Sequence, residues 1–154
     1  MKFICDQMLG TLAKWLRIYG FDTFYADSEM SDNKLIDISK NEKRVLITRD
    51  KNLMQMAKKQ KIEVIGIDST DINEQIKKVI GNIEFDKNNV LSRCILCNTK
   101  IYELKKNEVK NKVPKRVFES NEKFWFCQKC KKIYWKGTHY ENMIDKINFL
   151  KNLG

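Results

Sequence analysis

Proline and histidine each occur once in the 154 residues, and glycine only six times. So little proline and glycine excludes a collagen-like chain or a Pro/Gly-rich disordered one. No apolar run approaches the roughly 20 residues that a membrane helix needs. There is no glycine-rich phosphate loop, so nucleotide binding of the dinucleotide or P-loop type has no support. The opening stretch meets a carboxylate at Asp6, which is not the pattern of a secretory leader. These absences lead us to expect a soluble, cytoplasmic chain with no membrane partner. They set no oligomeric state.

What the chain has in excess is positive charge. Lys and Arg number 30 against 20 Asp and Glu, a net of +10. The excess is not spread evenly. Residues 1–87 hold 15 cations against 14 anions, and residues 88–154 hold 15 against 6. A lysine-rich composition would leave solvated lysines throughout, but it does not confine the surplus to one half. The asymmetry points to a polyanionic partner, most simply nucleic acid.

The first half alternates short apolar runs with amphipathic stretches. Strands are expected at Lys2–Cys5, Thr23–Ala26, Arg44–Thr48 and Glu63–Ile67. Helical spacing follows each: Met8 to Tyr19 closed by Gly20, Leu35 to Ile38 capped by Ser31 or Asp32, Asn52 to Lys59, and Ile72 to Ile80 after Asp71. Four such units predict an α/β fold, a parallel sheet with helices on both faces. Asp6, Asp27, Asp50 and Asp68 each follow a predicted strand. In open α/β sheets those strand ends share one edge, where ligand crevices form. Carboxylates gathered there repel one another unless cations or protons neutralise them. Hard oxygen donors suit Mg²⁺ or Mn²⁺, which activate water and stabilise charge on phosphate. Taken singly, each of these acids is also a natural helix cap.

The second half carries two C-x₂-C pairs, Cys94/Cys97 and Cys127/Cys130, separated by 29 residues. Each pair can present two thiolates to one tetrahedral, structural Zn²⁺. Disulfides are the alternative, though nothing indicates an oxidising compartment. Ribbon strands are expected at Lys100–Leu104, Arg116–Phe118, Phe124–Phe126 and Lys132–Trp135, and a terminal helix from Glu141 to Leu153. Cys5 lies in the first strand and reads as a buried apolar residue. Lys129, Lys132 and Trp135 belong to a mixture of basic and aromatic residues of the kind that binds single-stranded RNA. Some of these aromatics must also build the ribbon's small core. His139 is surplus to a four-cysteine site and is a candidate phosphate contact, helix cap or proton-transfer group. Arg49 is a further candidate for holding phosphates. Arg17 is another, although an arginine on a surface helix is ordinarily solvated.

Asp6-Gln-Met-Leu-Gly-Thr-Leu-Ala-Lys-Trp-Leu-Arg-Ile-Tyr-Gly20, Leu46-Ile-Thr-Arg-Asp50, Ser92-Arg-Cys-x-x-Cys97, Cys127-x-x-Cys130 and Tyr134-Trp-x-Gly-x-His139 occur in this order. Together they resemble the Mut-seven C-terminal RNase domain family, PIN-like domains followed by a zinc ribbon. The resemblance runs over essentially the whole chain. It implies metal-dependent hydrolysis of RNA by an acidic cluster. By position, Asp6 matches the family's first-strand acid and Asp50 the acid of its Thr-Arg-Asp motif. Asp32, in Ser31-Asp-Asn-Lys-Leu-Ile-Asp37, matches the acid after the second strand, with Asp37 a weaker candidate. Asp27 and Asp68 rest on the strand-end argument alone. The expected organisation is a PIN-like domain over residues 1–88 and a zinc ribbon with terminal helix over residues 89–154. The rival is a non-catalytic RNA-binding or RNP-assembly module. A phosphoacceptor receiver domain shares the strand-end acids but has no place for a basic ribbon, and a toxin-like nuclease with an inhibitor is a third possibility.

Overall fold

The computed structural model describes residues 1–26, 29–84 and 86–152, with backbone alone for Thr138, His139, Ile147 and residues 149–152. Strands β1 (Lys2–Cys5), β2 (Asp22–Tyr25), β3 (Val45–Thr48) and β4 (Val64–Gly66) form one sheet in the order β2-β1-β3-β4. All three pairings are parallel, with Ile4 opposite Phe24 on one side and Leu46 on the other. Helices α1 (Gly10–Ile18), α2 (Asp32–Asn41), α3 (Lys51–Lys59) and α4 (Ile72–Ile80) connect and flank the strands.

The two-residue period of the strands divides the core. Phe3, Cys5, Val45 and Ile47 face one side and pack with α1 and α4 through Leu12, Leu16, Ile76 and Ile80. Ile4 and Leu46 face the other side and pack with α2 and α3 through Leu35, Ile36, Leu53 and Ala57. Strands covered on both faces read as continuous apolar runs, which is why β1 and β3 are so legible. Burial pushes the Cys5 thiol well above its ordinary range, so it stays neutral and unreactive, as expected of an apolar core residue. Gly20 closes α1 at φ +93, and a Cβ there would stand 2.2 Å from the Asn89 carbonyl oxygen. Only glycine meets both demands.

The second sheet is antiparallel, in the order β5 (Tyr102–Leu104), β6 (Phe124–Cys127) and β7 (Lys132–Trp135). The stretch around Arg116–Phe118, expected as a strand, is helical instead: α5 spans Lys115–Ser120. Pro114 at its N-cap, with φ −56, starts the turn, and its carbonyl accepts from the Phe118 amide at 3.0 Å. A long helix, α6 (Thr138–Asn152), ends the described chain. Its Tyr140, Met143 and Ile144 pack against the core shared by α1 and α4, together with Val90, Leu91 and Ile95. The α/β class, the small second sheet and the terminal helix are thus as the sequence leads one to expect. No helix among the described residues is long and apolar enough to cross a membrane.

Arg17 is not solvated. It is 8 % exposed, and its guanidinium donates to the carbonyls of Thr23 (2.9 Å), Ile95 (2.9 Å) and Leu96 (3.2 Å). The helix α1 thereby holds the loop of the first cysteine pair. Asn98, on the same loop, accepts from the Thr23 amide at 2.9 Å and donates to Asp22 at 2.7 Å.

Candidate active site and metal centre

The strand order reverses between β1 and β3, so a crevice opens at their carboxyl ends. Asp6 leaves β1 there and is 6 % exposed. Its Oδ1 accepts from the Met8 amide at 3.1 Å, capping a short 3₁₀ turn over Gln7–Leu9. Its Oδ2 accepts from the Thr48 hydroxyl and from the Arg49 amide at 3.4 Å. The Thr48 oxygen also accepts from the Asp50 amide at 3.0 Å. A single buried hydroxyl therefore ties the ends of β1 and β3 together.

Asp50 caps α3, with Oδ1 accepting from the amides of Asn52 (2.8 Å) and Leu53 (3.3 Å). Its other oxygen has no partner among the described residues. Asp32 is the first residue of α2, but Ser31 makes the cap, through the Lys34 amide at 3.2 Å. Asp32 is exposed, and its carboxylate has no hydrogen-bond partner among the described residues. Asp6, Asp32 and Asp50 line one cavity of about 90 Å³, with Gln7, Met8 and Leu35 among its other walls. Asp37 and Asp68 are exposed and do not line it, and Asp27 lies outside the described residues. Arg49 supplies its backbone amide to Asp6, while its side chain is not among the cavity walls.

The four cysteines converge more tightly. All four sulfurs lie within 4.8 Å of one another, and Cys97 and Cys127 are 3.5 Å apart. Zinc bound tetrahedrally at about 2.3 Å would set neighbouring sulfurs about 3.8 Å apart. The separation is far from the roughly 2.0 Å of a disulfide. Among the described residues this is the only group of three or more metal-ligating side chains that close together. The acids share a cavity without converging to that degree.

Both knuckles are built alike. The residue after each second cysteine, Asn98 or Lys131, has positive φ, and its amide donates to the carbonyl of the pair's first cysteine. Burial pushes the Cys97 thiol up, but the Thr99 side chain and amide outweigh it and bring the pKa down to about 6. Cys130 is pushed up to about 12, first by its hydrogen bond with Cys97. Thiols so close cannot all ionise unless a cation neutralises them, and that fits a metal centre.

The family model of the Mut7-C RNAse domain matches residues 1–147. The chain belongs to the Mut7-C RNAse domain family. No curated protein and no solved structure matches it. Membership in an RNase domain family makes RNA the substrate class that the family implies.

The ribbon residues expected to bind nucleic acid are accessible where described. Lys129 and Lys132 are exposed, the latter with its ammonium 5.4 Å above the Tyr134 ring. Trp135 is half-buried beside Arg116, Ser120 and Lys136 along a cleft of about 590 Å³. The side chain of His139 lies outside the described residues. Thr48 and Arg17, which no sequence motif marks for these contacts, hold the Asp6 carboxylate and the first cysteine loop from buried positions. For Thr48 a signal existed, a hydroxyl closing an otherwise apolar run.

Proposed function

We propose that the chain is a metal-dependent ribonuclease whose acids are Asp6, Asp32 and Asp50. The observation that carries this reading is that three acids from three different elements line one cavity at the sheet's switch point, in a member of an RNase domain family. The donor set fits a hard cation: all three are carboxylates, and among the described residues only Asp6 has partners for both oxygens. A bound Mg²⁺ or Mn²⁺ would supply Lewis-acid activation of water and neutralise charge on the phosphate. The chain's own contribution is positioning. Thr48 and the Arg49 amide fix the Asp6 carboxylate, and the α3 cap fixes Asp50. Asp32, on the exposed first turn of α2, adjusts to the ligand. Single-stranded RNA would follow the cleft that holds Trp135, Arg116 and Lys136, and the exposed Lys129 and Lys132 would add positive charge elsewhere on the ribbon. We read residues 1–88 as the unit bearing the acids and residues 89–154 as the ribbon unit.

The thiols are expected to hold a structural Zn²⁺, with no open position for chemistry. One observation favours the rival, a non-catalytic RNA-binding module: Asp50 is already used as a helix cap. The test is cleavage of labelled single-stranded RNA by zinc-loaded protein with Mg²⁺, with Mn²⁺ or with no added divalent ion, beside an Asp6→Asn/Asp50→Asn variant. Metal-dependent cleavage that the variant loses is the expected result. RNA binding by clean protein without metal-dependent cleavage would establish the rival.

A further inference from the structure

We infer that Arg17, Lys14 and Thr11 form a phosphate subsite for RNA one step from the acidic cavity. This rests on the ribonuclease reading and adds to it where a neighbouring phosphate is held.

Thr11, Lys14 and Arg17 recur every three residues along α1 and line a second cavity of about 270 Å³. Arg17 is buried and rigid. Three backbone carbonyls fix Nε and Nη1, whereas no hydrogen bond among the described residues engages Nη2. A guanidinium clamped on one edge is preorganised for an anion, because the ordering is complete before binding. Lys14 and Thr11 are exposed on the same wall and add a mobile cation and a hydroxyl. No acid among the described residues lines this cavity. The larger cavity at the opposite end of β1, about 700 Å³, mixes Lys2, Arg93 and Lys100 with Asp22, Glu84 and Asp86, so its charges offset one another.

The subsite adjoins the acids. Tyr25 forms part of its wall and donates to the Gln7 carbonyl at 2.6 Å, and Gln7 is a wall of the acidic cavity. The partition between the two cavities is thus a tyrosine, 38 % exposed. Met8 on the acidic side and Leu96 on the cationic side are also exposed, at 67 % and 56 %. Large apolar groups left in water beside a cationic pocket suit a nucleobase stacked on Tyr25 while its phosphate reaches Arg17. A free inorganic phosphate would have no use for them.

The test measures binding of a labelled single-stranded RNA 12-mer to the intact zinc-loaded protein, without added divalent ions, across a salt series. Lys14→Ala is compared with Lys78→Ala, an exposed lysine on α4. Lys14→Ala is expected to weaken binding about fivefold and to lower the salt slope by about 0.7, the value of one single-strand phosphate contact. A scan of neutral methylphosphonate linkages should find one position that weakens binding to the wild type and has a smaller effect on Lys14→Ala. Arg17→Lys, with zinc content confirmed, should lose the same position's effect, because a point charge replaces the fork. If RNA binds but Lys14→Ala matches Lys78→Ala in affinity and slope, the subsite is wrong, and the ribonuclease reading is decided separately by the cleavage assay. If the position-specific effect persists in a protein that never cleaves, the subsite stands and the ribonuclease reading falls.

Discussion

At the scale of single residues, the two knuckles make a comparison that can be tested. Asn98 and Lys131 occupy equivalent left-handed positions, at φ 70 and φ 60. Lysine gains nothing from that conformation, so Lys131→Gly should stabilise the protein by about 0.5–1 kcal/mol in urea denaturation. Asn98→Gly should do the opposite and cost about 1–3 kcal/mol, because it leaves the Thr23 amide without its side-chain partner and removes one donor from Asp22. Thr48 is fully buried and holds both Asp6 and the Asp50 amide. Thr48→Val keeps the volume and removes the hydroxyl, at a cost of about 2 kcal/mol in the same measurement. If the ribonuclease reading holds, metal-dependent cleavage should also fall about 10- to 100-fold, and Thr48→Ser should restore it.

At the scale of elements, the joint between the parallel sheet and the first knuckle depends on Asp22. It pairs with Arg44 at 2.8 Å and Arg93 at 3.7 Å, and accepts from Asn98. Burial acts to raise its pKa, but the hydrogen bonds from Asn98 and Arg44 outweigh burial and hold it below the ordinary 3.8. A depressed carboxylate contributes stability that is fully present above the unfolded pKa and is lost as pH falls through the folded value. Stability should therefore decline below about pH 4 partly through Asp22. In Asp22→Asn, thermal midpoints followed from pH 6 to pH 2 should fall less steeply. An equal slope in both proteins would mean that this pair does not govern the joint. The same elements explain where strand reading failed. Arg116–Phe118 has the composition of a strand, but Pro114 ahead of it and a Lys115–Glu119 pair one turn apart, at 3.8 Å, suit a helix start.

At the scale of the whole molecule, a small third core accompanies the two that cover the faces of the parallel sheet. The core around the cysteines consists of little more than Tyr134, Trp125, Ile95, Ile101 and the ligands themselves. So small a core needs a staple. If the four thiols hold zinc, a strong chelator should release one metal ion per chain and melt the β5–β7 sheet, read as a change in fluorescence from Trp125 and Trp135. The parallel sheet, with its own cores on both faces, should keep most of its far-ultraviolet circular dichroism. Loss of both signals together would show that α6 and the Arg17 clamp make the two parts one cooperative unit.

The sequence alone determined the elements of the first sheet, the pairing of cysteines into knuckles and the confinement of positive charge. Those are local or periodic signals: apolar runs, fixed spacings and composition. It also placed Asp6 and Asp50 at strand ends, because each closes an apolar run. Asp32 could be added only through the family resemblance. Only the tertiary structure decided which acids share a cavity, since β2-β1-β3-β4 order is a property of packing and not of any one segment. It likewise decided that Arg17 is buried, because the groups that cover it, at Ile95 and Leu96, lie almost 80 residues away in the chain. Contacts at that separation leave no periodic trace in a single sequence.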